Sequence, residues 1–239
     1  MWLVALETAT PTLSVALLKD GKPVAEHNEQ SKRRHAVTLA PTIATLLSEQ
    51  GLKPQDVGAV ACGSGPGSFT GLRIGLSTAK GLAQSLNIPL VTVSTLDVLA
   101  AAAVRPDAFT APLLDAKQGH IYVAFYAGSK EPLNCRPLTG YLALRSEQVA
   151  AQAKELVGKN RLTVCGDGVF LCKEDLMATN LEVLELPSWQ NVPRASILGQ
   201  IAARRLAGGE VEDLAAVKPL YVRRAAAELA REAKKNATT

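Results

Sequence analysis

The sequence predicts an α/β protein built as two similar halves with a cleft between them. A short apolar run, residues 57–62, ends in Gly63-Ser64-Gly65-Pro66-Gly67 and opens into a helical pattern over about 70–86. Strand, glycine loop and helix in succession mark a βα unit. The order hairpin, helix, strand into a glycine turn, helix then occurs twice, before and after Arg105-Pro106-Asp107. It is a repeat of element order and not of sequence. The 239 residues are 47% hydrophobic and 20% charged, with mean hydropathy +0.10, which suits one large or two small globular domains.

Taken in order, residues 2–8 and 13–18 are apolar runs joined by Thr8, Ala9, Thr10, Pro11 and Thr12. Asp20-Gly21 is a hairpin signal, and 23–28 returns as a third strand. Leu39, Ile43, Leu46 and Leu47 recur at helical spacing within 36–50, where Pro41 must lie in the first turn or kink the helix. After the glycine-loop helix come a strand at 89–93 and a helix opened by Ser94-Thr95-Leu96-Asp97, which resembles a capping box. The second half offers strands at 111–115 and 120–126 around Lys117-Gln118-Gly119, a helix at 146–157, strands at 161–165 and 181–186, and a helix at 194–206. The expected division is 1–104 and 105–214, with an alanine-rich helix at about 215–236 packing back on the first half.

Composition narrows the function classes. No apolar run reaches the ~18 residues of a membrane span. The first residues lead at once to Glu7 with no basic leader, so they read as a strand, and a cytoplasmic protein is expected. Cys62, Cys135, Cys165 and Cys172 show no CxxC spacing and only three histidines accompany them, so buried thiols are expected rather than a zinc site. A net charge of +4 permits contact with nucleic acid without arguing for it, and 4% aromatics offer no stacking platform.

The glycine-loop helix is unusual. Gly71, Gly75 and Gly81 lie inside it, each costing about 1 kcal/mol relative to alanine. Gly71, Gly75 and Ala79 form one small row, beside a stripe of Leu72, Leu76 and Ala83. The loop fits neither GxxxxGK[ST] nor the Rossmann GxGxxG spacing. Two readings compete, a phosphate cradle at the loop and a helix–helix contact along the small row. In the second, Leu39, Ile43 and Leu46 of the preceding helix join Gly71, Leu72, Gly75, Leu76, Ala79 and Ala83 as a partner interface; the alternative is that these stripes pack on the chain's own sheet.

Two halves that each begin with a β-hairpin are the pattern of the actin-like, sugar-kinase-like ATPase fold, a pair of RNase H-like units. The string GPGSFTGLRIGLSTAKGLA resembles the signature of the bacterial TsaB (YeaZ-type) family, which implies the same fold. The resemblance further implies a non-catalytic partner that binds and stabilises a TsaD-type subunit, which carries threonylcarbamoyl to adenosine 37 of ANN-decoding tRNA. A TsaE-type ATPase and, through the complex, the tRNA are the other implied partners, with a homodimer when the chain is alone. No tightly bound cofactor is implied, only ATP or ADP at the complex.

By position in such a fold, Glu7, Thr8 and Thr10 on the first hairpin and Asp115 on the second are the candidate nucleotide-binding residues. The family more commonly reads IDTS where this chain has Glu7, and Glu where it has His120. Gly166-Asp167-Gly168 resembles the family's GxG turn. TsaD-type proteins hold a metal with HxxxH on a helix; here His35 is followed four residues on by Leu39, so no metal site and no metalloprotease is expected. No GxSxG elbow is present, and no catalytic residue is assigned. An autonomous ATP-dependent kinase or ATPase using Glu7, Asp115 and the glycine loop is the open alternative.

Overall fold

The computed structural model describes residues 1–30, 34–131 and 133–223. Five strands form the first sheet: β1 (Trp2–Glu7), β2 (Thr12–Lys19), β3 (Lys22–Gln30), β4 (Val57–Gly65) and β5 (Leu90–Ser94), in the order β3-β2-β1-β4-β5. The first three are antiparallel, and β4 and β5 run parallel to β1. Asp20 and Gly21 both have positive φ in the two-residue β2–β3 turn, as the Asp-Gly signal requires.

Both faces of this sheet are covered, which is why β1 and β2 read as unbroken apolar runs. Alternate residues go opposite ways. Val4, Leu6, Leu13 and Val15 meet Leu39, Ile43 and Leu46 of α1 (His35–Glu49) and Leu76, Ala79 and Ala83 of α2 (Phe69–Leu86). Leu3, Ala5, Ala16 and Leu18 face the other way. There the cover is Ala195, Leu198 and Ala202 of a late helix, Ala195–Ala207.

The chain passes through α3 (Thr95–Ala103), capped by Ser94 Oγ on Leu96 N at 3.2 Å, into a second sheet. Its strands are β6 (Ala108–Lys117), β7 (His120–Val123), β8 (Tyr126–Ala127), β9 (Arg136–Pro137), β10 (Leu142–Leu144), β11 (Arg161–Cys165) and β12 (Glu182–Glu185). The main path is β10-β7-β6-β11-β12, and β8 and β9 pair off it. Again the first three are antiparallel and the last two parallel to the leading strand. Each half is therefore the same RNase H-like unit, and the pair is the actin-like ATPase fold. Helices α4 (Ser146–Val157) and α5 (Val169–Met177) cover one face of the second sheet; α3 lies on the other, with Leu96, Leu99 and Ala100 against Leu114, Tyr126 and Cys165.

Three expectations change. The strand expected at 120–126 breaks at Ala124 and Phe125, and α5, β9 and β10 add to the expected elements. The helix at 195–207, α6, falls in the second half by sequence but packs on the first sheet. Its N-terminus is fixed there, with Ala195 N donating to Ser14 Oγ and Ser196 N to Glu26 Oε1, both at 2.8 Å, and Arg194 pairing with the same Glu26 carboxylate. The last expected helix is absent over 215–223, which are turns and irregular backbone, and the remainder of it lies outside the described residues.

Candidate functional site

The site begins where β1 turns into β2 beside the glycine loop. Strand β4 continues to Gly65, and Ser68 caps α2, its Oγ accepting from Gly71 N at 3.2 Å. Residues 7–9 lie directly on this unit. A Cβ on Gly63 would run into the Glu7 carboxylate, on Gly67 into Ala9, on Gly71 into the Thr8 carbonyl and on Gly75 into the Thr8 hydroxyl. Ser68 N donates to Ala9 O at 2.7 Å and Thr8 Oγ1 to Gly71 O at 2.9 Å. Four glycines thus serve one close approach within the chain. The small row of α2 is the seat of the β1–β2 turn.

The first-hairpin candidates are enclosed by this placement. Glu7 and Thr8 are fully buried and Thr10 nearly so. Glu7 accepts from Ala9 N at 2.7 Å and from Thr95 Oγ1, at the start of α3, at 3.2 Å. Burial raises its carboxyl to about 7 against these stabilising hydrogen bonds. Thr10 Oγ1 is engaged with Thr12 of its own turn at 3.3 Å. His35 Nε2 lies 2.9 Å from Thr10 O; a carbonyl only accepts, so Nε2 carries the proton. Its Nδ1 is buried with no hydrogen-bond partner among the described residues, and Leu39, four residues on, is core. These groups hold a turn and present no open ligand face.

Asp115 occupies the corresponding place in the second half, near the end of β6. Its carboxylate accepts from Lys117 N at 2.7 Å and pairs with Lys117 Nζ at 2.5 Å, while Asp167 Oδ1 accepts from Asp115 N at 3.0 Å. Burial lifts the Asp167 carboxyl above the usual carboxylate range. Gly166 and Gly168 repeat the glycine logic of the first half, since a Cβ on either would strike the backbone of Leu113 or Leu114. Asp115 is the one candidate at a rim: its side chain is 18% exposed, beside a Lys117 that is 78% exposed.

The interface assignment is corrected in its residues. Leu39, Ile43, Leu46, Gly71, Leu72, Gly75, Leu76, Ala79 and Ala83 are all buried within the chain. The outer faces of the same two helices are different. On α1, Ala36, Val37, Ala40, Pro41 and Ala44 are exposed, Val37 at 69%, and no charged residue occurs from 36 to 48. On α2 the outer face carries Arg73, Ser77, Gly81 and Gln84, and a Cβ on Gly81 would meet nothing within 4 Å.

One cluster had no sequence signal beyond a capping-box acid. Asp97 of α3 accepts from Tyr126 Oη at 2.7 Å, from Tyr141 Oη at 3.0 Å and from Arg205 Nη2 at 3.2 Å. The two tyrosines come from the second half and the arginine from α6. Burial and the nearby carboxylate push the Tyr141 hydroxyl up to about 12 and the Tyr126 hydroxyl higher still.

A sequence profile of the family described as TsaD, tRNA N6-adenosine threonylcarbamoyltransferase, matches residues 26–231. The tRNA threonylcarbamoyladenosine biosynthesis protein TsaB of Escherichia coli (strain K12) is 33% identical over 228 residues, covering 93% of this chain and 95% of that protein. The chain belongs to the TsaB family. The TsaB of Bacillus subtilis (strain 168) is 39% identical over 126 residues, so there the match spans about half of each protein, 53% and 55%. Among solved structures, YeaZ from Pseudomonas aeruginosa superposes with a TM-score of 0.77 at 30% identity, covering 92% of this chain and 99% of that one. The family's fold and the duplicated topology of the two sheets agree.

Proposed function

We propose that the chain acts in threonylcarbamoyladenosine synthesis on tRNA as a non-catalytic subunit that binds and stabilises a TsaD-type catalytic mate. Support for the pathway comes from family membership and from the name that the curated TsaB relatives share. The observation that carries the partner role is the outer surface of α1 and α2. Gly71 and Gly75 accommodate Thr8, but Gly81 faces outward with open space beside it. A solvent-facing helical glycine costs about 1 kcal/mol and returns nothing to this chain. Next to it α1 offers an uncharged face of alanine, valine and proline. A surface of small residues lets a second pair of helices approach at the close end of the 8–10 Å range.

In this reading a TsaE-type ATPase and the tRNA join through the complex, ATP or ADP acts there, and the isolated chain pairs with itself through the same helices. Absence of catalysis by the chain alone is part of the proposal; the enclosed Glu7 and Thr8, and a His35 without a second imidazole four residues on, support it. The test is capture of a TsaD-type protein by the wild-type chain and by Val37→Asp and Gly81→Leu. Both variants should bind roughly a hundredfold more weakly, about 2.7 kcal/mol, with melting curves unchanged. Full binding by both would place the mate elsewhere. ATP turnover by the isolated chain that saturates and disappears in Asp115→Ala would replace the proposal with the ATPase reading.

A further inference from the structure

The chain after α6 returns to the glycine loop and then crosses to the other half. Lys80 Nζ on α2 donates to Val217 O at 3.5 Å, and Leu220 N donates to Ser64 O at 2.7 Å. The fit is close: a Cβ on Gly65 would lie 3.1 Å from Leu220 O. The Tyr221 ring stacks on Phe69 with centroids 5.3 Å apart, and Arg73 Nε donates to Tyr221 Oη at 3.2 Å while its guanidinium lies 3.8 Å over the Phe69 ring. Two residues later Arg223 reaches the tip of the second hairpin. Its Nη1 donates to Lys117 O at 3.3 Å and its Nη2 to Gln118 Oε1 at 3.1 Å.

Position gives these contacts their meaning. Gly65 ends β4 and Lys117 ends β6, so residues 217–223 bridge the carboxyl ends of one strand from each sheet. In open α/β sheets that edge is where ligands enter. The grip on the first half is a stacked aromatic pair with a cation over it, which is directional and short-ranged. The grip on the second is a guanidinium fork on one carbonyl and one amide oxygen. Tyr221 is 42% exposed, so the anchors lie on the rim and not in a core.

We infer that residues 217–223 form a strap that latches the two halves at the carboxyl ends of β4 and β6 and releases from both as one unit. Parting the two halves at this edge then requires the strap to leave the glycine loop and the second hairpin together.

Hydrogen exchange on the full chain tests this through Tyr221→Ala and Arg223→Ala, each of which weakens the grip on one half only. A single strap predicts that each variant speeds exchange by about tenfold in peptides from both ends, 66–73 and 114–121. If each substitution affects only its own end, the contacts are independent and there is no strap. Arg73→Ala loosens Tyr221 without altering the strap, and it should speed the 114–121 peptide as well. That variant decides the matter if Tyr221→Ala does not fold, and an unchanged 114–121 peptide would overturn the inference.

Discussion

Glu7 joins the first turn to the start of α3 with no cation paired to it among the described residues, and this gives it a pH signature. An unfolded chain releases this proton near the ordinary value of 4.5, whereas the folded chain holds it to about 7. Between those values folding takes up a proton, so the stabilisation is complete below 4.5 and falls away as pH rises through 7. Each unit is worth about 1.4 kcal/mol, so this carboxyl alone removes on the order of 3 kcal/mol between pH 4.5 and 8. Glu7→Gln keeps an acceptor for Thr95 and removes the titration, so its denaturation midpoint should vary less between pH 5.5 and 8 than the wild type's. Equal slopes in the two proteins would mean that Glu7 is ionised in the fold. The importance of residue 7 is legible in the sequence, because it ends the first apolar run before a hydroxyl-rich turn. Its burial is not, because a carboxylate at a strand end is compatible with water, ligand or core, and the choice depends on Gly63 and Thr95, 56 and 88 positions away.

Helix α2 shows the same division at the level of an element. Its existence and its small row follow from the string itself, since glycines on one row of a helix need a compensating close approach. What approaches does not follow, because an i, i+4 row fits a second helix or a turn equally well. The structure separates the glycines by role. Gly75 abuts Thr8 Oγ1, and Gly81 abuts nothing. Gly75→Ala should therefore lower stability by about 1–3 kcal/mol through overpacking, while Gly81→Ala should raise it by up to about 1 kcal/mol. Thermal melts of the isolated variants check both signs, and the opposite order would reverse the assignment of the two faces. Periodicity gives no hint of the sheet that α6 chooses. That choice rests on bonds from Ser14 and Glu26 to residues 168 to 181 positions further along the chain, which carry no local pattern.

Across the whole molecule the two halves share α3 and one polar cluster. The repeated element order makes the duplication legible in the sequence, but not what fixes one half against the other. Asp97 collects donors from three elements, two tyrosines of the second half and Arg205 of α6, which rests on the first sheet. Its side chain is only 19% exposed, so these bonds operate with little competition from water. Removing the carboxylate leaves the buried Tyr126 hydroxyl without its acceptor and Arg205 with Thr92 O in place of the carboxylate, a loss of about 2–3 kcal/mol for charge-assisted bonds. The loss falls on the junction and not on either core, since the hydrophobic clusters on the outer faces of both sheets contain no residue of this network. Asp97→Ala should therefore do more than lower the melting temperature. Calorimetry should show the single transition of the wild type broaden or divide in two as the halves unfold separately, and Asp97→Asn, which keeps an acceptor, should lie between. A variant that melts lower but in one equally sharp transition would mean that the apolar contacts of Leu96, Leu99 and Ala100 couple the halves, and that Asp97 contributes only stability.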